Sequence, residues 1–418
     1  MRGKADSDLV RRQNRSVVLE ALRFHGPSPR VDLGRFTGLS PATITSITMQ
    51  LIQDGAVIEL GDVAGTTDSG KRGRPTVLLG LKPDAAFIVA VKISIGMLEF
   101  ALADFTGNIR ERNALSIATY DMQPEIFARR LIAETKHFIA ATTIDPTLIA
   151  QINVAVQGVA DNRLGKIAWS PAFKARGISI VSPLEEAFNI PCTLANDANM
   201  IAEGLIAQKM VKLSGTTAAV FMGYGIGMGL VIDGAVYQGS TGAAAEFGHM
   251  NYVPGGALCR CGRAGCLEAY ASDYGILRSA EKLPDDTPPP SHPVNAQVMF
   301  ALEAAARAGD KDAFAAFQKA GRAIGFGLAR MIALLNPDRI VLAGAGTRAL
   351  DLIEPSLRAA IEEGVVAELR NNLKIETLPV GKDMIIGGTI DAGMRRLDSE
   401  VYALGPALPA EAKKELSA

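Results

Sequence analysis

Cysteine is scarce in this chain, tryptophan occurs once, neither charge sign dominates, and no long apolar run is present. No stretch reaches the ~18 uninterrupted apolar residues of a transmembrane helix. The nearest, Ala218 to Ile232, is broken by glycines at 223, 225, 227 and 229. Met1-Arg-Gly-Lys-Ala-Asp is charged and no apolar segment follows it, so no secretory signal is expected. The expectation is a cytoplasmic protein with no membrane partner and with reduced thiols. Three of the four cysteines fall within eight positions, which in that compartment favours a metal site over disulfides.

What is present describes a soluble globular chain. Apolar residues make up 48% and charged residues 21%, and 418 residues exceed one ordinary core, so two or three domains are expected. The net charge of −1 conceals an asymmetry. Residues 1–81 carry eleven Lys/Arg against eight Asp/Glu, the remainder thirty-two against thirty-six. A mildly basic amino-terminal module on a mildly acidic body is compatible with a nucleic-acid contact.

The first eighty residues read as three helices and a hairpin. Val18, Leu19 and Leu22 have helical spacing, ended by His25-Gly-Pro. Ser28-Pro29 and Ser40-Pro41 each look like a capping serine with proline at the first helical position. The helices they open are joined by Thr37-Gly38-Leu39, a helix-turn-helix. Ser40, Ala42, Thr43, Ser46 and Gln50 are the candidate DNA-reading positions. Thr43, Ser46 and Gln50 lie opposite the aliphatic stripe, and hydroxyl and amide groups meet both phosphates and base edges. The competing reading is a solvated face. Val57-Ile-Glu-Leu, then Lys71-Arg-Gly-Arg-Pro75, then Thr76-Val-Leu-Leu-Gly suggests strand, basic loop, strand. That is the wing of a winged helix, with Arg72 and Arg74 on a narrow strip suited to a minor groove.

Lys82-Pro83-Asp84 reads as a linker. Beyond it come a hairpin from Phe87 to Ala103, a helix at Pro124 to Ala140 and a strand at Ile152 to Gly158. A second hairpin spans Thr217 to Ile232, where alternating glycines imply close backbone approach or a tightly packed strand. A helix at Gly321 to Leu335 is stopped by Asn336-Pro337 before the strand Arg339 to Gly344. Alternating strands and helices imply α/β lobes. The expected division is a winged helix-turn-helix at 1–81, a two-lobed body at 82–398 whose last helix returns to the first lobe, and a loosely held tail at 399–418.

The chain resembles the ROK family (repressors, open reading frames and sugar kinases), specifically its DNA-binding repressor branch. The resemblance rests on Ser40-Pro-Ala-Thr43, Arg72-Gly-Arg-Pro75, Leu194-Ala-Asn-Asp-Ala-Asn199, Glu246-Phe-Gly-His249 and the run from Cys259 to Glu268. It implies an actin-like two-lobed α/β body of the sugar-kinase type, a sugar pocket in the cleft, and homo-oligomers (dimer or tetramer) presenting paired DNA-binding modules to operator DNA. His249, Cys259, Cys261 and Cys266 supply one imidazole and three thiols, a common closed set for structural Zn2+. A redox thiol cluster is the competing reading. Gly262 and Gly265 permit the tight turn between the ligands.

The resemblance further implies that Asn196, Asp197, Glu246, His249 and Glu268 contact a small sugar or sugar phosphate, the metal shaping one wall of that pocket. Asp197 matches the kinase general base; as a cap for the helix that follows, it has a purely structural reading. One departure stands out: Ser170-Pro171-Ala172 replaces the family's Ser-Pro-Asn. Two functions fit, a sugar-responsive regulator and an ATP-dependent sugar kinase with an appended DNA-binding domain. The family's kinases carry Asp-x-Gly-Gly-Thr and Gly-Thr-Gly-Ile-Gly loops for metal and phosphate. Here Lys92-Ile-Ser-Ile-Gly96 and Gly223-Tyr-Gly-Ile-Gly227 stand at those places. With both loops degraded, the expectation is a non-enzymatic regulator, a repressor of carbohydrate-utilisation genes.

Overall fold

Capping chemistry decides where the third helix begins. In the computed structural model, which describes residues 2–61, 77–210, 214–370, 373–378 and 383–404, helix α1 runs Arg2–His25. α2 is Arg30–Thr37, closed by Gly38 at φ 72°, and α3 is Pro41–Gln53. Ser40 caps α3 as expected: its hydroxyl accepts from the Thr43 amide, and Pro41 occupies the first turn. Ser28-Pro29 does not repeat the pattern. That pair is a two-residue edge strand, β1, antiparallel to β3 (Leu78–Leu81), and the Ser28 hydroxyl donates to the Gly26 carbonyl. A proline at a sheet edge leaves no ladder donor missing. β2 (Val57–Leu60) pairs with the other side of β3, giving the order β1-β3-β2. The expected wing tip, with Arg72 and Arg74, lies outside the described residues.

The body has two five-stranded sheets. The first contains β4 (Phe87–Ser94), β5 (Met97–Asp104) and β6 (Ile109–Ser116), an antiparallel meander. After α4 (Pro124–Ala140), β7 (Ile149–Val156) joins β4 in parallel. β8 (Val159–Asp161), β9 (Lys166–Trp169) and β10 (Ile178–Ser179) form a small sheet before α5 (Val181–Phe188). β11 (Cys192–Asn196) then completes the order β11-β7-β4-β5-β6 and runs directly into α6 (Asp197–Ala207).

The second sheet begins with the hairpin β12 (Thr216–Met222) and β13 (Ile226–Ile232), followed by β14 (Ala235–Val236). α7 (Glu268–Ala271), α8 (Asp273–Ala280), α9 (Ala296–Arg307) and α10 (Lys311–Leu335) come next. β15 (Arg339–Ala343), α11 (Leu350–Gly364) and β16 (Lys374–Thr377) finish the order β14-β13-β12-β15-β16. The last helix, α12 (Met384–Arg396), packs on α6, β4 and β7. The alternating glycines have a direct cause. A Cβ at Gly229 would run into the Ala198 carbonyl and Ala202, and one at Gly227 would lie 3.1 Å from Ala198, so β13 lies flush against α6.

The two expected loose segments are both docked. Lys82-Pro83-Asp84 enters a 3-10 turn (Pro83–Ala85); the Lys82 amide donates to the Ala56 carbonyl and the Phe105 amide to that of Pro83. The expected tail is helical through residue 404, a π turn at Leu397–Val401 followed by a 3-10 turn at Tyr402–Leu404. Asp398 is fully buried and accepts two 2.8 Å hydrogen bonds from Arg23 of α1. Tyr402 donates to the Ala85 carbonyl at 3.0 Å. One apolar cluster runs from Val18, Leu33 and Leu51 through Ile88 and Phe105 to Ile390 and Leu397. The amino-terminal module and the body therefore share a core, closed by partners hundreds of positions apart in the chain. Residues 405–418 of the expected tail lie outside the described residues.

Candidate functional site

The cleft is organised by the start of α6. Asn196 caps that helix, its side-chain oxygen accepting from the amides of Ala198 and Asn199 while its nitrogen donates to the Gly158 carbonyl at 2.5 Å. Both ends of the amide are engaged, so Asn196 lines the cleft as a positioning group. Asp197, the next residue, takes one local bond from the Ala198 amide at 3.0 Å and lines the same cleft. Asn196 is thus the cap, and Asp197 has an oxygen to spare. Desolvation raises the Asp197 carboxyl to about 7, reinforced by nearby Glu246 and opposed by Lys92. Lys92 forms a 2.7 Å ion pair with Glu99 on the adjacent strand β5.

Across the cleft lies the cysteine loop. His249, Cys259, Cys261 and Cys266 place their ligand atoms within 4.8 Å of one another. The Cys259 sulfur is 3.7 Å from His249 Nδ1, and the Cys261 and Cys266 sulfurs are 3.7 Å apart. A tetrahedron with ~2.3 Å metal–sulfur bonds has edges of about 3.8 Å. The group therefore matches the size of a four-coordinate metal site. The charges of the group depend on one another. Burial works against a charged His249, yet the neighbouring Cys259 and Cys261 push it up to about 11, and contacts from Cys259 and Cys266 hold Cys261 well below the usual thiol range. Gly262 and Gly265 have φ of 90° and 86°, and a Cβ at Gly265 would strike the Val253 carbonyl, so only glycine fits that turn.

Glu268 joins the loop to the opposite hairpin. It is 6% exposed; one oxygen accepts from the Ile226 amide at 3.1 Å, and the other lies 3.3 Å from the Tyr274 hydroxyl. Glu246, half-buried, is raised by burial and lowered by His249. Asn196, Asp197, Glu246, His249 and Glu268 all border one cleft.

Three further residues reach this cleft that the motifs do not reveal. Gln157 and Trp169 line it, and the Trp169 ring meets His249 edge-on at 5.2 Å. Trp169 immediately precedes the Ser-Pro-Ala segment, a placement legible only once β9 is known to border the cleft. Arg260, between two cysteines, stacks its guanidinium 3.8 Å above the Tyr224 ring and 4.5 Å from that of Tyr274. The glycine loop after β12 is thereby covered by an aromatic–guanidinium stack. Ala172 is 1% exposed; its amide donates to Ser170 and its carbonyl accepts from Thr119, so it faces the core of the first lobe.

In the amino-terminal module the exposed face of α3 is rotated from the expected one. Ala42, Thr45, Ser46 and Met49 face solvent, Met49 at 61% exposure. Thr43 is half-buried, its hydroxyl 2.8 Å from that of Ser40 within the cap. The Gln50 carbonyl oxygen accepts from Arg11 at 3.2 Å and Arg15 at 3.5 Å, which turns it toward α1. Thr45 and Met49 were missed because helical spacing alone does not show where α1 covers α3. No helix among the described residues is long and apolar enough to cross a membrane.

A profile of the ROK family matches residues 88–388. The xylose repressor of Bacillus spizizenii is 27% identical over 379 residues, covering 91% of this chain and 94% of its own length. The DNA-binding transcriptional dual regulator NagC of Escherichia coli strain K12 is 26% identical, covering 88% of this chain and 89% of its own length. A solved ROK family transcriptional regulator, a homolog of the E. coli MLC protein, superimposes with TM-score 0.76. It covers 94% of this chain and 99% of its own at 24% identity, a likeness of fold.

Proposed function

The chain belongs to the ROK family, in its repressor branch, and from that premise we propose that it is a sugar-responsive transcriptional repressor of carbohydrate-utilisation genes. The observation that carries this reading is the convergence of Asp197, Glu246, His249 and Glu268 on one cleft, in a chain whose amino-terminal module presents a helix-turn-helix. Carboxylates accept hydrogen bonds from sugar hydroxyls without any chemistry following. Trp169 offers an apolar ring face to the sugar's C–H groups. His249, Cys259, Cys261 and Cys266 would hold Zn2+, whose contribution is to fix the loop that presents His249 and Glu268.

The working parts are a DNA-binding module at 1–81 and a sugar-binding body at 82–398. Homo-oligomers in the cytoplasm present paired recognition helices to operator DNA. Thr45, Ser46 and Ala42 read bases, Ser40 and Thr43 hold the helix start, and Arg72 and Arg74 follow the minor groove. A ligand that changes DNA affinity must bind one conformation better than the other.

The kinase alternative draws on the near-neutral Asp197, which suits a general base. Against it, Lys92 stands paired to Glu99 where a kinase places its metal-organising aspartate, and Arg260 with Tyr224 covers the second phosphate loop. The test follows the fluorescence of Trp169, the sole tryptophan, during titration with D-xylose, N-acetyl-D-glucosamine and their phosphates, alongside DNA-binding shifts. The expected outcome is one probe that perturbs the emission and alters DNA affinity at least tenfold. Asp197-dependent sugar phosphate formed from labelled ATP would replace the repressor reading with the kinase.

A further inference from the structure

Helix α6 begins in the cleft at Asp197, and its far half lies against α12 with almost no side chain between them. A Cβ at Gly388 would run into the Met200 carbonyl, and one at Gly204 would come within 3.1 Å of the Met384 carbonyl. Glu203 on α6 and Arg395 on α12 form an ion pair along the same seam. Backbones this close move together. Beneath α12, both polar atoms of the Gln151 side chain and the Asn153 amide nitrogen are buried without a hydrogen-bond partner among the described residues.

α12 continues into the turns at 397–404, which meet the DNA module at Arg23, through Asp398, and at the buried Arg15, through the Tyr402 carbonyl. Arg15, on α1, is 2% exposed. Its Nε donates to the Tyr402 carbonyl at 2.9 Å. Its Nη2 pairs with Asp54, the residue that terminates α3, and its Nη1 donates to Gln50 on α3 at 3.5 Å. The guanidinium offers three separate nitrogens in one rigid plane to these acceptors, whereas a lysine's donors all sit on a single nitrogen and cannot span them. Because the charge is buried, a shift of one partner that leaves the others in place is costly.

We propose that Arg15 is the positioning residue that ties the recognition helix to the sugar-binding body, making α6, α12 and the 397–404 turns one path from cleft to α3. The proposal rests on the repressor reading above. A shift of α6 when a sugar engages Asp197 carries α12 and the Tyr402 carbonyl, and Arg15 passes that displacement to Gln50 and Asp54. By linkage, DNA bound to α3 changes the affinity of the cleft by the same factor.

The test needs no identified sugar. Gly204→Ala introduces a small wedge between α6 and α12, remote from DNA. Its effect is measured on binding to a duplex recovered by the wild-type protein from a random-sequence pool. The measurement is made in the natural background and in the Arg15→Met/Asp54→Leu background, which replaces the buried ion pair by apolar groups of similar size. Arg15→Lys serves as a third background should the double variant not bind DNA. Melting curves and Trp169 emission verify that each full-length variant is folded. The wedge is expected to change DNA affinity fivefold or more with Arg15 present and less than twofold without it. An equal change in both backgrounds, or none in either, overturns the path while leaving the repressor reading intact. A wild-type protein that recovers no duplex removes both.

Discussion

Asp197 shows how one side chain acquires two properties from its surroundings. Its place at the first turn of α6 follows from the Asn196 cap, and its carboxyl is raised to about 7 by desolvation. The sign of the consequence is fixed: between about pH 4 and 7 the folded chain keeps a proton that the unfolded chain has lost, so this group's contribution to stability falls as pH rises through that window. Sugar hydroxyls donate to the ionised form. Affinity for a bound probe sugar should therefore rise about tenfold between pH 6 and 8, and Asp197→Asn should flatten the profile; fluorescence titrations across pH decide it. His249, Cys259, Cys261 and Cys266 converge as a unit. Cys261→Ser is expected to lower zinc from about one per chain to near zero and to shift Trp169 emission, because His249, which the Trp169 ring touches, loses its anchor. Undiminished zinc by elemental analysis in that variant would exclude the assigned ligands.

At the scale of elements, the proposed function divides α3 into positions that hold the helix and positions that would read DNA. Ser40 and Thr43 build the cap, while Thr45, Ser46 and Met49 face outward. Ser40→Ala should therefore cost about 1 kcal/mol of stability and weaken all DNA sequences alike. Thr45→Ala with Ser46→Ala should leave melting unchanged and reduce discrimination at the contacted base pairs by about 1 kcal/mol each, roughly fivefold. Selection from a random duplex pool separates the two outcomes; identical base preferences for wild type and the double variant would remove α3 from the reading role.

At the scale of the molecule, the amino-terminal module and the body share one core, closed by Arg23–Asp398 and the Tyr402 turns. On the proposed function, a module held this way would present α3 at a set angle, and two modules of an oligomer would meet half-sites at a set spacing. The footprint on selected DNA should be two-fold symmetric, with half-site centres one or two helical turns apart. Footprinting that shows a single asymmetric half-site would count against paired modules.

The sequence by itself determined whatever depends on short-range chemistry. Proline and glycine punctuation marked the boundaries of α4 and β15, Ser40-Pro41 marked the start of α3, and the Cys-x-Cys-Gly-x-x-Gly-Cys spacing marked the loop that gathers three thiols around His249. The cleft motifs were legible for the same reason, each lying within a few residues of the turn that presents it. Tertiary structure alone decided the rest. It turned Ser28-Pro29 into a sheet edge, because β3 lies fifty residues away, and it engaged Gln50 with α1 and Thr43 with the helix cap, leaving both half-buried. It brought Trp169 and Arg260 to the cleft, and it docked residues 397–404 through Asp398 onto Arg23. Such contacts depend on partners brought together only by the closed core, and no local pattern records a partner at that separation.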